Sequence, residues 1–118
     1  MKTLKEYAEE LKKYANSPNE LDDLLAESTA DYAFYTEELL NIKLGKAKFW
    51  VDLKTKHKID GKIVDRENPL SDKLTEQLWF ADEIGQRELR LKYKVKALEK
   101  IGSSCRAVLF NQEREMRM

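Results

Sequence analysis

The chain has 118 residues, of which 42% are apolar and 37% charged, and its 22 basic residues are balanced by 22 acidic ones. This length is typical of one domain, and the zero net charge argues against a dedicated nucleic-acid packaging protein. Because Cys105 has no second cysteine to pair with, a reducing cytoplasmic compartment is expected. We expect no signal peptide, and no apolar run reaches the roughly 18 to 20 residues that a membrane span needs.

Residues 1–16 place apolar side chains at helical spacing between Lys and Glu residues, which predicts a short amphipathic helix. Ser17 can cap a second helix, and Pro18 suits its first turn because proline lacks the backbone N–H. Glu20 would complete a capping box. The sequence therefore predicts a second helix over 18–56, roughly 60 Å long at about 1.5 Å per residue.

Apolar residues along this second helix recur at alternating spacings of four and three residues. Eight of the ten positions in the series are apolar, and Ser28 and Lys46 interrupt it. A period of about 3.5 residues keeps one face of a helix turned toward a partner helix, as in a coiled coil. The apolar members of this predicted seam are Leu21, Leu25, Tyr32, Tyr35, Leu39, Ile42, Phe49 and Leu53.

Residues 57–69 break the helical pattern. The pair Asp60-Gly61 lies between short stretches that favour β-structure, which is typical of a tight hairpin. Two strands this short are marginally stable on their own, so a loop is the alternative. The sequence therefore predicts either a small hairpin or a loop over 57–69.

A last helix is predicted over 71–118, with Ser71 as its N-cap. Its apolar band includes Leu91 and Leu98, which we assign to the seam. Gly85 and Gly102 lie within this band, where each costs about 1 kcal/mol relative to alanine. They predict either the close approach of another helix or a local kink.

The distribution of charge predicts how the two long helices pair. Residues 20–38 hold seven acidic residues and no basic ones, whereas residues 87–106 hold seven basic and two acidic ones. Folding back at 57–69 brings these stretches together, and complementary flanking charges select the antiparallel arrangement. We therefore expect an all-α fold, in which a single domain (1–118) forms a long antiparallel helical hairpin with the first helix packed on it or exchanged between subunits.

The aromatic residues are more numerous than one seam can bury. Residues 32, 34 and 35 are all aromatic and point to more than one face of their helix, and so do Trp79 and Phe80. Exposed aromatic surface is stabilised by burial in an interface. We therefore expect a homo-oligomer, either a dimer or a tetramer.

Catalytic chemistry finds little support in the sequence. His57 is the sole histidine, so no histidine pair is available for a metal site. Cys105 lies on an apolar band, which indicates a structural thiol. Glycines are scattered and form no phosphate-binding loop. We expect no enzymatic activity, no metal and no cofactor.

The segment from Lys43 to Arg66 is basic, with eight basic and three acidic residues, a net charge of +5. Lysines alternate with aromatic residues at its start, a composition that can grip phosphates and stack a base. The alternative is a solvated lysine face. The candidate nucleic-acid contacts are Lys46, Lys48, Trp50, Lys54, Lys56, Lys58 and Lys62.

The second half of the chain contains the run Glu88-Leu89-Arg90-Leu91-Lys92-Tyr93-Lys94, which continues to Lys100, and Glu113-Arg114-Glu115-Met116-Arg117 near the end. In these two stretches it resembles a class of small phage proteins. These are coiled-coil proteins with two long helices, encoded in the recombination and replication region of tailed phages and prophages. The chain departs from the class at residues 102–105, where such proteins continue their heptads. The class has no defined site residues to carry over. The resemblance implies a phage or prophage origin and an accessory role in DNA metabolism, in the host cytoplasm.

The sequence leaves three functions open. The first is a non-enzymatic oligomeric helical adaptor that binds a protein of DNA recombination or replication. The second is a direct DNA-binding accessory protein that uses residues 43–62. The third is a host-directed inhibitor protein, which the sequence does not distinguish from the first.

Overall fold

The computed structural model describes residues 1–117 and is mostly helical over that range, as the sequence predicts. Its elements are α1 (Leu4–Lys13), α2 (Pro18–Thr55), β1 (Lys56–Ile59), β2 (Lys62–Asp65), α3 (Asp72–Ala81) and α4 (Glu83–Arg117). The predicted end of the last helix at Met118 lies outside the described residues. Within residues 1–117, each helix is either too short or too polar to cross a membrane.

Packing divides the chain into two compact units. The first, called here the terminal unit, comprises residues 1–37 together with residues 92–117. The second, called the middle unit, comprises residues 38–91. Each unit has its own helix contacts.

The terminal unit is built from α1, the first half of α2 and most of α4. Here α2 and α4 run antiparallel: Lys94 Nζ donates to Tyr35 Oη of α2 at 2.9 Å, and further along α4 Gln112 Nε2 donates to the carbonyl of Ala15, just before α2 begins. The apolar core lies where the three helices meet, because each contributes apolar side chains at helical spacing. Its fully buried members are Tyr7, Leu24, Leu98 and Cys105.

Tyr7 ties α1 to α2 inside this core. Its ring is fully buried, and its hydroxyl donates a hydrogen bond to Asp31 Oδ2. Burial, followed by the hydrogen bond to Asp31, raises the pKa of Tyr7 above its usual value, so that the hydroxyl keeps its proton and remains a donor. Lys2 adds a second link, since its ammonium pairs with Glu10 of α1 at 2.5 Å and with Glu27 of α2 at 2.6 Å.

The middle unit joins the second half of α2 to the hairpin, α3 and the start of α4. The helices again run antiparallel, because rising numbers along α2 meet falling numbers along α4 and α3. The contacts that show this are Glu38 with Arg87 at 3.2 Å, the Phe49 ring with Trp79 at 5.3 Å, and Lys54 with Asp72 at 2.5 Å.

The interruption after α2 is a hairpin rather than a loop. β1 and β2 pair antiparallel, with Ile59 opposite Lys62 across the turn. Asp60 and Gly61 both have positive φ, at 50° and 80°, which is the backbone that a two-residue type I′ turn requires. The Asp-Gly pair therefore determines the turn, as the sequence indicates.

The predicted continuous helix over 71–118 is wrong, because the chain breaks at Asp82. Ser71 caps α3 as predicted, accepting from Leu74 N–H at 3.2 Å. Asp82 has extended backbone (ψ 151°), and its Oδ1 accepts from Ile84 N–H at 3.0 Å. Aspartate side chains compete for backbone donors in this way, which favours a cap over a helix interior.

Replacing Tyr7 by Phe should lower the free energy of unfolding by about 1 to 3 kcal/mol, because the buried Asp31 carboxylate loses its hydroxyl donor. Urea denaturation followed by circular dichroism measures the change. Tyr14→Phe is the matched control, since the half-buried Tyr14 hydroxyl makes no hydrogen bond to any described residue. Equal stability of the two variants would contradict the proposed role of the Tyr7 hydroxyl.

Candidate functional site

The seam on α2 lies on the buried side of the helix in both units. Leu21 and Leu39 are buried, and Leu25, Tyr32, Tyr35, Ile42, Phe49 and Leu53 are half-buried. Leu91 and Leu98 of α4 are buried as well. The positions that the heptad pattern selects are therefore occupied by contacts within the chain.

The two polar residues that interrupt the seam are both satisfied. Ser28 is buried, and its Oγ donates to the carbonyl of Leu25 at 3.0 Å. Lys46 Nζ donates to Glu88 Oε1 at 2.9 Å. Buried polar groups cost free energy unless they are paired, so each interruption fixes a local geometry.

The Lys46–Glu88 pair is the most unusual feature of the middle unit. The Glu88 side chain is 0% exposed, and the Lys46 ammonium lies 5.0 Å from the centre of the Trp79 ring and 5.7 Å from that of Trp50. Trp79 itself is buried. A buried carboxylate requires compensating partners, and an aromatic face adds an attraction for the ammonium. The half-buried Lys46 is therefore part of the packing of this unit and not a free surface cation.

Beside this pair lies a cavity of about 440 Å³, called here the middle-unit groove. Its apolar wall is formed by Ile42, Phe49, Trp79 and Ile84, and its rim by Gly45 and the polar residues Glu38, Asn41 and Arg87. At the rim, the Arg87 guanidinium and the Glu38 carboxylate form an ion pair at 3.2 Å. An apolar wall with a few polar groups is typical of a binding pocket, and this volume is in the usual range of about 300–1,000 Å³.

Two glycines in this unit have opposite steric surroundings. A Cβ at Gly85 would lie 1.8 Å from the carbonyl oxygen of Trp79, so the break at Asp82 leaves no room for a side chain there. At Gly45 a Cβ would have no atom within 4 Å. Nothing within the described chain requires glycine at 45, although glycine in a helix interior costs about 1 kcal/mol relative to alanine. Its effect is to keep the rim of the groove open.

The candidate nucleic-acid residues fall into two groups. Lys46, Lys54 and Lys56 form ion pairs with Glu88, Asp72 and Asp52, and Trp50 is half-buried. The remaining residues, Lys48, Lys58 and Lys62, are exposed and form no ion pair or hydrogen bond with any described residue. The structure therefore leaves three of the six candidate lysines without an intrachain counter-charge.

Groups suited to catalysis do not converge in the described part of the chain. No cluster of three or more His, Cys, Asp or Glu side chains there has the geometry to hold a metal ion. The Cys105 thiol is buried, and burial raises its pKa against the opposing effect of Arg106. A protonated, inaccessible thiol is a poor nucleophile.

Sequence reasoning missed Glu88 and the groove beside it. A signal was present, because Glu88 occupies a seam position of α4, four residues after Ile84 and three before Leu91. A single acid in the seam of one helix and a single base, Lys46, in the seam of the other predict a buried pair between them. The groove has no such signal, because it depends on the break at Asp82.

Comparison of the chain with models of protein families, with curated proteins and with solved structures gives no match.

Gly45→Ala should raise the free energy of unfolding by about 1 kcal/mol, because the methyl group meets open space and the helix gains intrinsic stability. Gly85→Ala should lower it by at least about 2 kcal/mol, because the methyl group collides with main-chain atoms of Trp79. Thermal and urea denaturation measure both variants. If both variants changed the free energy of unfolding in the same direction, the steric difference between positions 45 and 85 would be contradicted.

Lys46→Met should lower the free energy of unfolding by about 3 kcal/mol, because the buried Glu88 carboxylate loses its ammonium partner. Lys48→Met is the matched control and should change stability by less than about 0.5 kcal/mol, since Lys48 is exposed. The double variant Lys46→Met/Glu88→Met should recover part of the loss, because no buried charge remains. Equal stability of the two single variants would show that the pair is not structural.

Proposed function

We propose that the chain is a non-enzymatic, oligomeric helical adaptor that binds a protein partner through the middle-unit groove. The observation that carries the proposal is the groove itself: a cavity of about 440 Å³ with Phe49 and Trp79 in its wall and an unobstructed glycine at its rim. Apolar surface of this kind is a common site for anchoring residues of a partner.

The chemistry of the groove favours a neutral apolar group as its occupant. The two charges at the rim, on Glu38 and Arg87, neutralise each other at 3.2 Å, so the groove offers no net charge to a phosphate or a carboxylate. Its wall is aliphatic and aromatic. We therefore expect the partner to insert an apolar side chain, such as Leu, Met or Phe, with Asn41 available for a hydrogen bond to the partner's backbone.

The class of partner follows from the resemblance to small phage proteins over residues 88–117. That resemblance supports a protein of DNA recombination or replication, such as a single-strand annealing recombinase or a single-strand-binding protein. Binding of a host protein in the same groove would instead support an inhibitory function. In each case the chain acts by association.

A purified phage annealing recombinase and a purified phage single-strand-binding protein are the first probes. We expect one of them to bind the wild-type chain in a calorimetric titration, and Gly45→Trp to weaken that binding at least about 10-fold by filling the groove rim. Ala30→Trp, which adds the same side chain to an exposed site on α2 outside the groove, should bind like the wild type. Equal binding by both variants would exclude the groove, and no binding of either probe would exclude this class of partner.

Direct DNA contact is the second candidate, and the three exposed lysines without an intrachain counter-charge favour it. Fluorescence anisotropy with labelled single-stranded DNA at about 50 and 200 mM salt tests it, because three phosphate contacts give a logarithmic salt slope of about −2. Lys48→Glu/Lys58→Glu/Lys62→Glu should then abolish binding without loss of helicity. Unchanged binding by this triple variant would exclude these lysines as the site.

A further inference from the structure

A second apolar stripe runs along α2 within the middle unit, on a different face from the seam. Leu40, Leu44, Ala47 and Val51 follow one another at spacings of four, three and four residues, and all four are exposed. Leu44 is 72% exposed, Val51 55% and Leu40 53%. We call this set the outer stripe. Its spacing repeats the heptad pattern of the seam.

The outer stripe remains exposed because the contacts of α2 with α3 and α4 use the seam on another face of the helix. At about 100° per residue, Leu44 and Ala47 lie well over 90° around the helix from Ile42 and Phe49, which face α3 and α4. A regular heptad stripe is complementary to another helix that carries the same repeat. Exposed apolar residues in such an array mark an interaction surface.

We propose that the outer stripe binds the outer stripe of a second copy of this chain, with the two α2 helices antiparallel. In this arrangement Leu44 packs against Ala47 of the second copy, and Leu40 packs against Val51. Because the contact has two-fold symmetry, each pair occurs twice, and both copies use the same surface. The inference identifies the surface behind the oligomeric part of the proposed function and rests on that part alone.

Side-chain size favours the antiparallel arrangement over the parallel one. In the antiparallel register every layer combines a larger residue with a smaller one, Leu44 with Ala47 and Leu40 with Val51. In a parallel register identical residues would meet, so that a layer of two leucines would be followed by a layer of two alanines. Close packing at uniform helix separation requires large residues to face small ones.

The charges that flank the outer stripe favour the same arrangement. A parallel pair would place Lys43 of each copy beside Lys48 of the other, and both lysines are exposed. Like charges at flanking positions are destabilising. The antiparallel pair places Lys48 beside Asn41 of the second copy, and Lys43 beside Trp50, whose ring already attracts the Lys46 ammonium. The second copy therefore meets no charge repulsion at these positions when it runs antiparallel.

Sedimentation equilibrium of the full chain tests the surface. We expect a wild-type dimer and, for Leu44→Lys, a dissociation constant about 100-fold higher or more, because two leucines lose their burial. Ile63→Lys is the matched control: Ile63 is 74% exposed, lies on β2 outside the stripe, and should leave the dimer unchanged. Circular dichroism checks that both variants keep the wild-type helicity.

Thiol cross-linking tests the orientation, in a Cys105→Ala background that removes the native cysteine. With a short bifunctional maleimide, a mixture of Asn41→Cys and Lys48→Cys chains should form cross-linked dimers, and a mixture of Lys43→Cys and Lys48→Cys should not. The reverse result would overturn the antiparallel arrangement. A monomeric wild type, or equal dissociation of Leu44→Lys and Ile63→Lys, would overturn the use of this surface. Partner binding by the groove in a monomeric chain would leave the adaptor function standing without the dimer.

Discussion

The ion pair between Lys46 and Glu88 is the constraint on which the middle unit depends. Lys46 is a charged residue within the apolar seam of α2, and Glu88 is a charged residue within the apolar band of α4. Their side chains form an ion pair at 2.9 Å beside the buried Trp79. A shift of either helix by one turn would separate the buried carboxylate from the ammonium, and breaking a buried ion pair costs several kcal/mol. The pair therefore specifies the register of α2 against α4 more strictly than leucines could. That register also determines where the wall and the rim of the groove lie.

The two units achieve stability by different means. In the terminal unit, three helices enclose a continuous core around Tyr7, Leu24, Leu98 and Cys105, and the buried Tyr7 hydroxyl locks α1 in place. The middle unit has fewer buried apolar residues, and several large ones, including Leu44 and Ile63, are mostly exposed. Buried area is the main source of folding free energy, so a unit that leaves this much apolar surface in water is stabilised further by anything that covers it. This difference is the physical reason to place partner binding in the middle unit.

Regular repetition and local chemistry account for what the sequence predicts here. The seam is predicted by an apolar period that holds from Leu21 to Leu53. The hairpin turn is predicted by Asp60-Gly61, because few other residue pairs adopt the positive φ angles that this turn requires. The sequence does not predict the break at Asp82, because the apolar band continues through it. The break depends on one capping hydrogen bond and on main-chain crowding at Gly85. For a similar reason, the sequence predicts the basic segment as one surface. Amino-acid composition does not distinguish Lys46 from Lys48. In the structure, Lys46 forms an ion pair with the buried Glu88 carboxylate, whereas Lys48 is exposed.

The groove and the outer stripe use different faces of the same helix, and this has a consequence for an adaptor. None of the outer-stripe residues lines the groove, and Asn41 is the groove residue that the second copy would approach, so the apolar wall formed by Ile42, Phe49, Trp79 and Ile84 stays open to a partner's side chain. A dimer formed in this way presents two grooves related by two-fold symmetry. Two linked sites raise the effective concentration of the second binding event, so that a groove of modest affinity can hold a multimeric partner firmly. Proteins that assemble along single-stranded DNA offer repeated copies of one surface, and a two-fold adaptor is suited to bridging neighbouring copies. In the proposed dimer, the two linked grooves would together bind such a partner more tightly than one groove alone.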